Sequence, residues 1–319
     1  MRHILAAGLV LCAAPSFALD CEDGFRAFEH ATGTTCIPQD PQRIVTLQDQ
    51  NGLLPLMELG VTPVASMGHQ LPNGDRVFRR MDGYDTSDVE WIGSYRGPFE
   101  PEIIAATNPD LIIATYQEPE NAEQLRQIAP LVVIDMFRNP MDVALFQYAD
   151  IVGKTELAEE LQAEFQARAA ETREKLGAAL AETTVSFISY RPDENQFYAS
   201  NPTQAIGMIM EELQPIRPEP ERTLTDERLY RSIETIGEHA ADVMFLVVFD
   251  QDVGGDSDTY GALMEEALVK TLPVSQAGQL VALDGIAMVG SAWAKAINGL
   301  EQVSAVLTAS DLNRDLVAE

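Results

Sequence analysis

The sequence predicts an α/β protein of two Rossmann-like lobes, each a central, mostly parallel sheet flanked by helices, joined by one long helix. Three observations support this prediction. Short β-branched runs alternate with helical patterns along the chain, which is typical of α/β architecture. One order of features recurs in both halves, and a long segment of helical period separates the halves.

The two halves follow one plan. Each opens on an apolar strand, continues with an isoleucine six positions ahead of an aspartate, and ends with an apolar strand followed by an aspartate. The opening strands are residues 43–47 and 185–190, and the closing aspartates are Asp135 and Asp284. This repetition predicts two lobes of similar topology, although the isoleucine–aspartate spacing is short enough to recur by chance.

The segment between the halves has the period of an amphipathic helix. Seven positions form one stripe, and most of the others are Glu, Gln, Arg or Lys. The stripe consists of Leu157, Leu161, Phe165, Ala169, Thr172, Leu176 and Leu180. It predicts one helix of about 25 residues, preceded by a break at Gly153 and a shorter helix from near Met141.

The predicted organisation has five parts. They are a signal peptide at 1–18, an N-terminal flap at 19–39, an N-terminal lobe at 40–139, a helical linker at 140–182 and a C-terminal lobe at 183–319.

Residues 1–18 have the pattern of a secretory signal, a basic start, an apolar run and small residues at Ser16 and Ala18. The apolar run is too short to span a bilayer, which is the alternative interpretation. Leu11 and Asp20, which precede the first two cysteines, do not suit lipoprotein cleavage. We therefore expect a periplasmic protein without a lipid anchor.

Three cysteines are present, and Cys12 would leave with the signal. Cys21 and Cys36 remain as an even pair in a compartment where disulfides persist, so we expect them to be bonded. The bridge would pin the flap. Metal binding by two lone cysteines is the alternative.

The composition and motifs disfavour several functions. The formal net charge of −29 repels nucleic acid and anionic lipid. The sequence has no G-x-S-x-G elbow, Walker loop or H-E-x-x-H motif, so we expect no enzyme; a general base at Asp49 is the alternative. His30, His69 and His239 are scattered, which disfavours direct metal binding.

Several short motifs then occur in a fixed order. They lie at residues 41–45, 58–64, 92–93, 102–106, 109–114, 128–135, 210–213 and 271–274. Their order and spacing resemble those of the periplasmic binding proteins that feed iron-siderophore, haem and cobalamin ABC importers. The resemblance extends from about residue 38 to about residue 308.

The resemblance implies a non-catalytic, two-lobed carrier whose cleft narrows only slightly on binding. It would capture a ferric siderophore in the periplasm and deliver it, as a monomer, to an inner-membrane ABC permease dimer. Iron would enter only as part of the chelate, without a cofactor of the protein's own. The alternative is haem, with Tyr95 and His69 as iron ligands.

The loops after the strands should line the cleft, because ligands of open α/β sheets bind at the carboxyl ends of the strands. Arg191 is the first candidate for bidentate bonds to an anionic chelate; a salt-bridged arginine at a sheet end is the alternative. Tyr95 and His69 would cover a flat chelate, although His69 also suits a structural role. The candidates are Gln48, Asp49, His69, Tyr95, Arg96, Tyr116, Arg138, Arg191, Tyr198 and Met288, of which Met288 also suits the core.

The family resemblance implies permease docking through one exposed acidic residue on each lobe. Glu211 matches the second-lobe position, and Glu100 or Glu102 flanks the first-lobe position. With 50 acidic residues in the chain, a plain surface role is the alternative. The sequence also departs from the family, because 285–288 holds no tryptophan, so we expect the second lobe to lack that stacking wall.

Overall fold

The computed structural model describes residues 19–71, 73–97, 99–116, 119–136, 138–199, 204–222, 229–249 and 258–309. The described chain begins with an antiparallel hairpin of β1 (Phe25–His30) and β2 (Gly33–Pro38). The predicted disulfide is confirmed, since Cys21 and Cys36 are joined. The hairpin packs on the first lobe through buried Phe28 and Ile37.

The first lobe is built on a six-stranded sheet in the order β5-β4-β3-β7-β8, with β6 paired to β4. Its strands are β3 (Ile44–Thr46), β4 (Ala65–Gln70), β5 (Arg76–Val77), β6 (Glu90–Ser94), β7 (Leu111–Thr115) and β8 (Leu131–Ile134). All pairs are parallel except β4 with β5. The aliphatic strands β7 and β8 are buried along nearly their whole length, as expected when helices cover both faces of a parallel sheet.

The second lobe contains a five-stranded sheet in the order β11-β10-β9-β12-β13. Its strands are β9 (Val185–Arg191), β10 (Gln196–Ala199), β11 (Leu229–Ser232), β12 (Val243–Val248) and β13 (Leu280–Asp284). Strands β9, β12 and β13 are parallel, and β10 and β11 are antiparallel additions at one edge. The predicted two-lobed α/β class is confirmed.

Helices cover the sheets and join the lobes. They are α1 (Leu54–Glu58), α2 (Pro101–Ala106), α3 (Ala122–Arg126), α4 (Met141–Ile151), α5 (Thr155–Leu176), α6 (Ala178–Glu182), α7 (Gln204–Leu213), α8 (Glu219–Arg222), α9 (Thr259–Glu265), α10 (Ala267–Thr271), α11 (Pro273–Gln276), α12 (Gly285–Met288) and α13 (Trp293–Ala309). Over the described part of the chain, no helix has both the length and the apolar character needed to cross a membrane.

The linker differs from its prediction at one point. The break at Gly153 and the helix from Met141 are present. The long helix, however, ends at Leu176, because Gly177 takes a positive φ of 53°. Leu180, the last residue of the predicted stripe, therefore lies in the separate helix α6. A glycine adopts this conformation at little steric cost, which stops the helix one turn early.

Two of the histidines have structural roles. His30 is buried beside β8, where Nδ1 accepts from the Val133 amide at 3.3 Å. Burial and nearby Arg126 lower the pKa of His30. His239 is buried against Glu221 at 2.9 Å, and Ser186 donates to the same carboxylate at 2.5 Å. These bonds satisfy buried polar groups.

The lobes meet through segments that follow β3 in the first lobe and β13 in the second. Just beyond β3, the carbonyl of Gln50 accepts from the amide of Ser291, and the side chain of Asn51 accepts from the Ser291 hydroxyl, both at 2.9 Å. The Glu58 carboxylate then accepts from the amides of Trp293 and Ala294 at 2.9 and 2.8 Å. Glu58 of the first lobe therefore caps α13 of the second.

Burial raises the pKa of Glu58 to about 7 from an ordinary value of 4.5. Between these values the folded chain holds a proton that the unfolded chain has lost. The carboxyl therefore makes the folded state less stable as the pH rises through this range. In E58Q this loss should vanish, so that its free energy of unfolding relative to the unmodified chain rises by up to about 3 kcal/mol between about pH 5 and pH 8.

Urea unfolding of both proteins at the two pH values measures this difference. Glu171→Gln is the matched control, because Lys175 lowers the pKa of that fully exposed carboxyl. A relative stability of E58Q that does not change with pH would show that Glu58 is ionised normally in the folded chain.

Candidate functional site

The carboxyl edge of the first-lobe sheet carries a cluster of five polar and aromatic side chains. We call Asp49, His69, Arg79, Tyr95 and Arg96 the Tyr95 cluster. Tyr95 directly follows β6, and its amide donates to the carbonyl of Gly68 at 3.0 Å. A side chain at Gly68 would lie 2.6 Å from the Trp91 indole nitrogen and 2.4 Å from the Val77 carbonyl. Only glycine lets β4 approach β6 this closely.

Two guanidinium groups converge on Tyr95. Arg79 lies over the ring at 4.3 Å from its centroid and donates to the hydroxyl at 3.3 Å. Arg96 donates to the same hydroxyl at 2.7 Å. The His69 ring lies 6.1 Å from the Tyr95 ring. The phenolic oxygen therefore accepts two charge-assisted bonds, and Arg79 covers one part of the ring by a cation–π contact.

Asp49 holds Arg79 in place through hydrogen bonds. Its Nη2 and Nε donate to the two carboxylate oxygens at 2.7 and 2.9 Å, and its own amide donates at 2.9 Å. The side chains are 8% and 0% exposed. The Asp49 side chain is therefore fully buried, and its contact with the rest of the Tyr95 cluster is through Arg79.

The neighbouring loops add two further candidates. Gln48 accepts from Thr115 at 2.5 Å and from Asn51 at 3.3 Å, which ties β3 to β7. Tyr116 follows β7 with a φ of 77° and an exposed side chain. Such a φ is strained for a residue other than glycine, and strained residues concentrate at binding sites.

The second lobe has its own aromatic group on the outer strands. The Arg191 guanidinium lies 5.6 Å from the centroid of Tyr230, and the rings of Tyr230 and Tyr198 are 5.3 Å apart. Glu194 pairs with Arg191 at 2.6 Å. We call Arg191, Glu194, Tyr198 and Tyr230 the Tyr230 cluster. It provides an aromatic surface on the lobe where the sequence indicated a missing stacking wall.

Two other candidates belong to neither cluster. Arg138 is exposed and lies 3.7 Å from Asp135. Met288 is 4% exposed and packs beneath Gly299 of α13, in the core. Its side chain fills core space and does not line an open surface.

The three docking candidates are all on the surface. Glu100 and Glu102 lie at the start of α2, and Glu211 lies on α7. Each is exposed, as an interface residue requires, and their docking role stays a prediction.

Sequence reasoning missed Arg79 and Tyr230. Arg79 lies in a loop that follows the two-residue strand β5, and Tyr230 lies on an antiparallel edge strand. The rule that ligands lie beyond parallel strands therefore selects neither. The adjacent arginines at 79 and 80 were the available signal in an acidic chain.

The fold and the site together define a class of protein. Two α/β lobes joined by helices, with a cluster of aromatic and guanidinium groups on each lobe, are the features of a two-lobed solute-binding protein. The comparison with protein families agrees. The model of the family described as periplasmic binding protein matches residues 80–287, and the chain belongs to this family. The recognition made from the sequence is confirmed, and the chain is a binding protein and not an enzyme.

Three relatives illustrate the match. The probable siderophore-binding lipoprotein YfiY of Bacillus subtilis is 28% identical over 284 residues, covering 86% of this chain and 85% of the relative. The siderophore periplasmic binding protein from the fuscachelin gene cluster of Thermobifida fusca has a TM-score of 0.64 at 26% identity, covering 86% and 98% of the two chains. SirA of Staphylococcus aureus, solved with staphyloferrin B, has a TM-score of 0.73 at 22% identity, covering 88% and 98%, and supports the fold.

The Asp49–Arg79 pair predicts a large stability effect. Asp49→Ala leaves a buried guanidinium without its partner, and the free energy of unfolding should fall by about 3 to 5 kcal/mol. The double variant D49A/R79A removes that unpaired charge and should recover part of the loss. Urea unfolding measures both.

Glu123→Ala provides the matched control, because Glu123 pairs with Arg126 on the surface at 2.7 Å. Its loss should cost less than about 1 kcal/mol. A cost of D49A as small as that of the control would contradict the assigned strength of the buried pair.

Proposed function

We propose that this chain captures a ferric siderophore between its two lobes and delivers it to an inner-membrane ABC permease. The proposal rests on one observation above all, the presence of a guanidinium–aromatic cluster on each lobe, where β6 ends in the first lobe and where β9 ends at Arg191 in the second. The names of the relatives, which include siderophore-binding proteins, support the same ligand class.

The chemistry of the two clusters suits a metal chelate. Guanidinium groups donate in a planar fork that matches carboxylate, catecholate or hydroxamate oxygens. Tyrosine rings supply apolar contact area to the organic frame. A siderophore already saturates its iron, so the protein needs no metal ligands of its own. Among the described residues, no three His, Cys, Asp or Glu side chains are grouped to hold an ion.

Haem remains the second candidate carried over from the sequence. Iron ligation by Tyr95 would add a third partner to an oxygen that already accepts bonds from Arg79 and Arg96. The geometry therefore favours Tyr95 as a hydrogen-bonding and stacking side chain. A Soret band on adding haemin would reverse this assignment.

Delivery would use the exposed acidic residues of the two lobes. In the proposal, Glu211 and either Glu100 or Glu102 meet basic residues of the permease dimer, and the carrier acts as a periplasmic monomer without a lipid anchor. Cofactors are not required, because iron travels inside the chelate.

A titration of intrinsic fluorescence tests the proposed function. Trp91 packs against Gly68 beside the Tyr95 cluster, whereas Trp293 is buried in the core and bonded to Gln162. A ferric chelate bound at the cluster should quench Trp91 with a Kd below about 1 μM, and the quenching should be lost in Trp91→Phe. Absence of binding to ferric hydroxamate, catecholate and citrate complexes, measured also by calorimetry, would refute the proposal.

Arg191→Ala tests the second-lobe cluster. Loss of its charge-assisted bonds should weaken chelate binding by about 1.5 to 3 kcal/mol, with the melting temperature of the ligand-free protein unchanged. Arg231→Ala is the matched control. It removes the same charge from β11, but Arg231 lies opposite Phe197 in the sheet register, on the face away from Tyr198 and Tyr230. Equal losses in both variants would indicate a general effect of charge and not a contact.

A further inference from the structure

The arginines of the two clusters differ in how they are paired. Arg79 is bound to Asp49, with contacts of 2.7 and 2.9 Å. Arg191 is bound to Glu194 at 2.6 Å. Arg96 donates to the Tyr95 hydroxyl at 2.7 Å and lies 5.4 Å from the centre of the same ring. Within the parts of the chain that the structure describes, Arg96 has no carboxylate partner. The clusters therefore hold three guanidinium groups and two carboxylates, which leaves one net positive charge.

The two carboxylates cannot be displaced with equal ease. Asp49 is 0% exposed and also accepts from the Arg79 amide, so separating the pair would leave a buried charge unpaired. Glu194 and Arg191 are 45% and 46% exposed, and water already solvates them. Arg79 thus offers directed hydrogen-bond donors, while Asp49 cancels its positive charge. The positive charge of Arg191 becomes available to a ligand only when Glu194 moves away.

This balance determines which chelates the site can neutralise. Three catecholates carry six negative charges against three on the iron, so their ferric complex is a trianion. Three hydroxamates carry three negative charges, so their ferric complex is neutral. The ferric complexes of mixed ligands have net charges between these two values. One net positive charge compensates a single anionic group, and the remaining charge of a trianion would be desolvated without a partner. The net charge of the whole chain, −29, repels an anionic chelate that comes within the screening length, and this repulsion adds to the penalty.

We propose that the site selects ferric chelates of low net charge, neutral or singly anionic, and discriminates against ferric tris-catecholates. This inference depends on the proposed function and specifies the ligand class of the same site. The arginines supply oriented hydrogen-bond donors. Their carboxylate partners limit how much negative charge of the chelate the arginines can compensate.

The test compares three ferric chelates by fluorescence titration of the mature protein. They are ferrichrome, which is a neutral tris-hydroxamate, the ferric complex of a citrate-based dihydroxamate, and ferric enterobactin, which is a trianion. We expect the tightest low-charge chelate to bind at least about tenfold more strongly than ferric enterobactin. Tightest binding of ferric enterobactin would overturn the inference and leave the proposed function intact. Binding of none of the three would overturn the proposed function itself.

A charge variant makes the test independent of ligand shape. Glu194→Gln releases Arg191 and raises the charge of the site by one, so it should tighten ferric enterobactin by about five- to tenfold and change ferrichrome by less than about twofold. Glu265→Gln is the control, because it breaks a comparable exposed pair, with Lys270 at 2.8 Å, on helix α9. An equal response of both chelates to E194Q, or an equal effect of E265Q, would overturn the inference.

Discussion

The contact on which the binding geometry depends is the cap that Glu58 of the first lobe places on α13 of the second. A carboxylate at a helix N-terminus satisfies amides that have no partner within the helix. Here those amides belong to the other lobe, at Trp293 and Ala294. The cap, with the Ser291 bonds beside it, fixes how the two lobes meet. The apolar core continues across this contact, from Leu56 through Tyr148 to Trp293, so the lobes are packed as well as tethered.

A short π-helical segment, Asp49–Leu53, connects that contact to the candidate site. Asp49 fixes Arg79, and the next two residues bond to Ser291 of the other lobe. π-Helical turns are rare and often occur at functional sites. In this chain Asp49, the first residue of the segment, belongs to the Tyr95 cluster, and the next two residues face the second lobe. The position of Arg79 is thereby linked to the position of Ser291, just ahead of α13, through the three consecutive residues 49–51, and an arrangement fixed before binding reduces the ordering cost of binding.

Sequence reasoning was sufficient where the signal is local. Alternating strands and helices, the repeated order of the halves and the cysteine pair are periodic or close in sequence, and they predicted the lobes and the disulfide. It was insufficient where partners are distant. Nothing near Asp49 indicates Arg79, and nothing near Glu58 indicates a helix that begins at Trp293. Met288 follows a strand, as a cleft residue should, yet the next helix covers it. Whether a loop residue faces solvent or core depends on what packs over it, and the local sequence does not contain that information.

The pairing of arginines with carboxylates separates two properties that a binding site usually gains together. Directed donors require guanidinium groups held in one orientation, and long side chains hold an orientation only when a partner fixes them. Asp49 provides that partner for Arg79 and at the same time cancels its charge. A carrier must also release its ligand. Strong net attraction to an anion would slow dissociation, whereas donors in neutral pairs recognise shape and oxygen placement at a smaller electrostatic cost. In the proposed function, the buried acidic partner makes the site selective while keeping it suited to delivery.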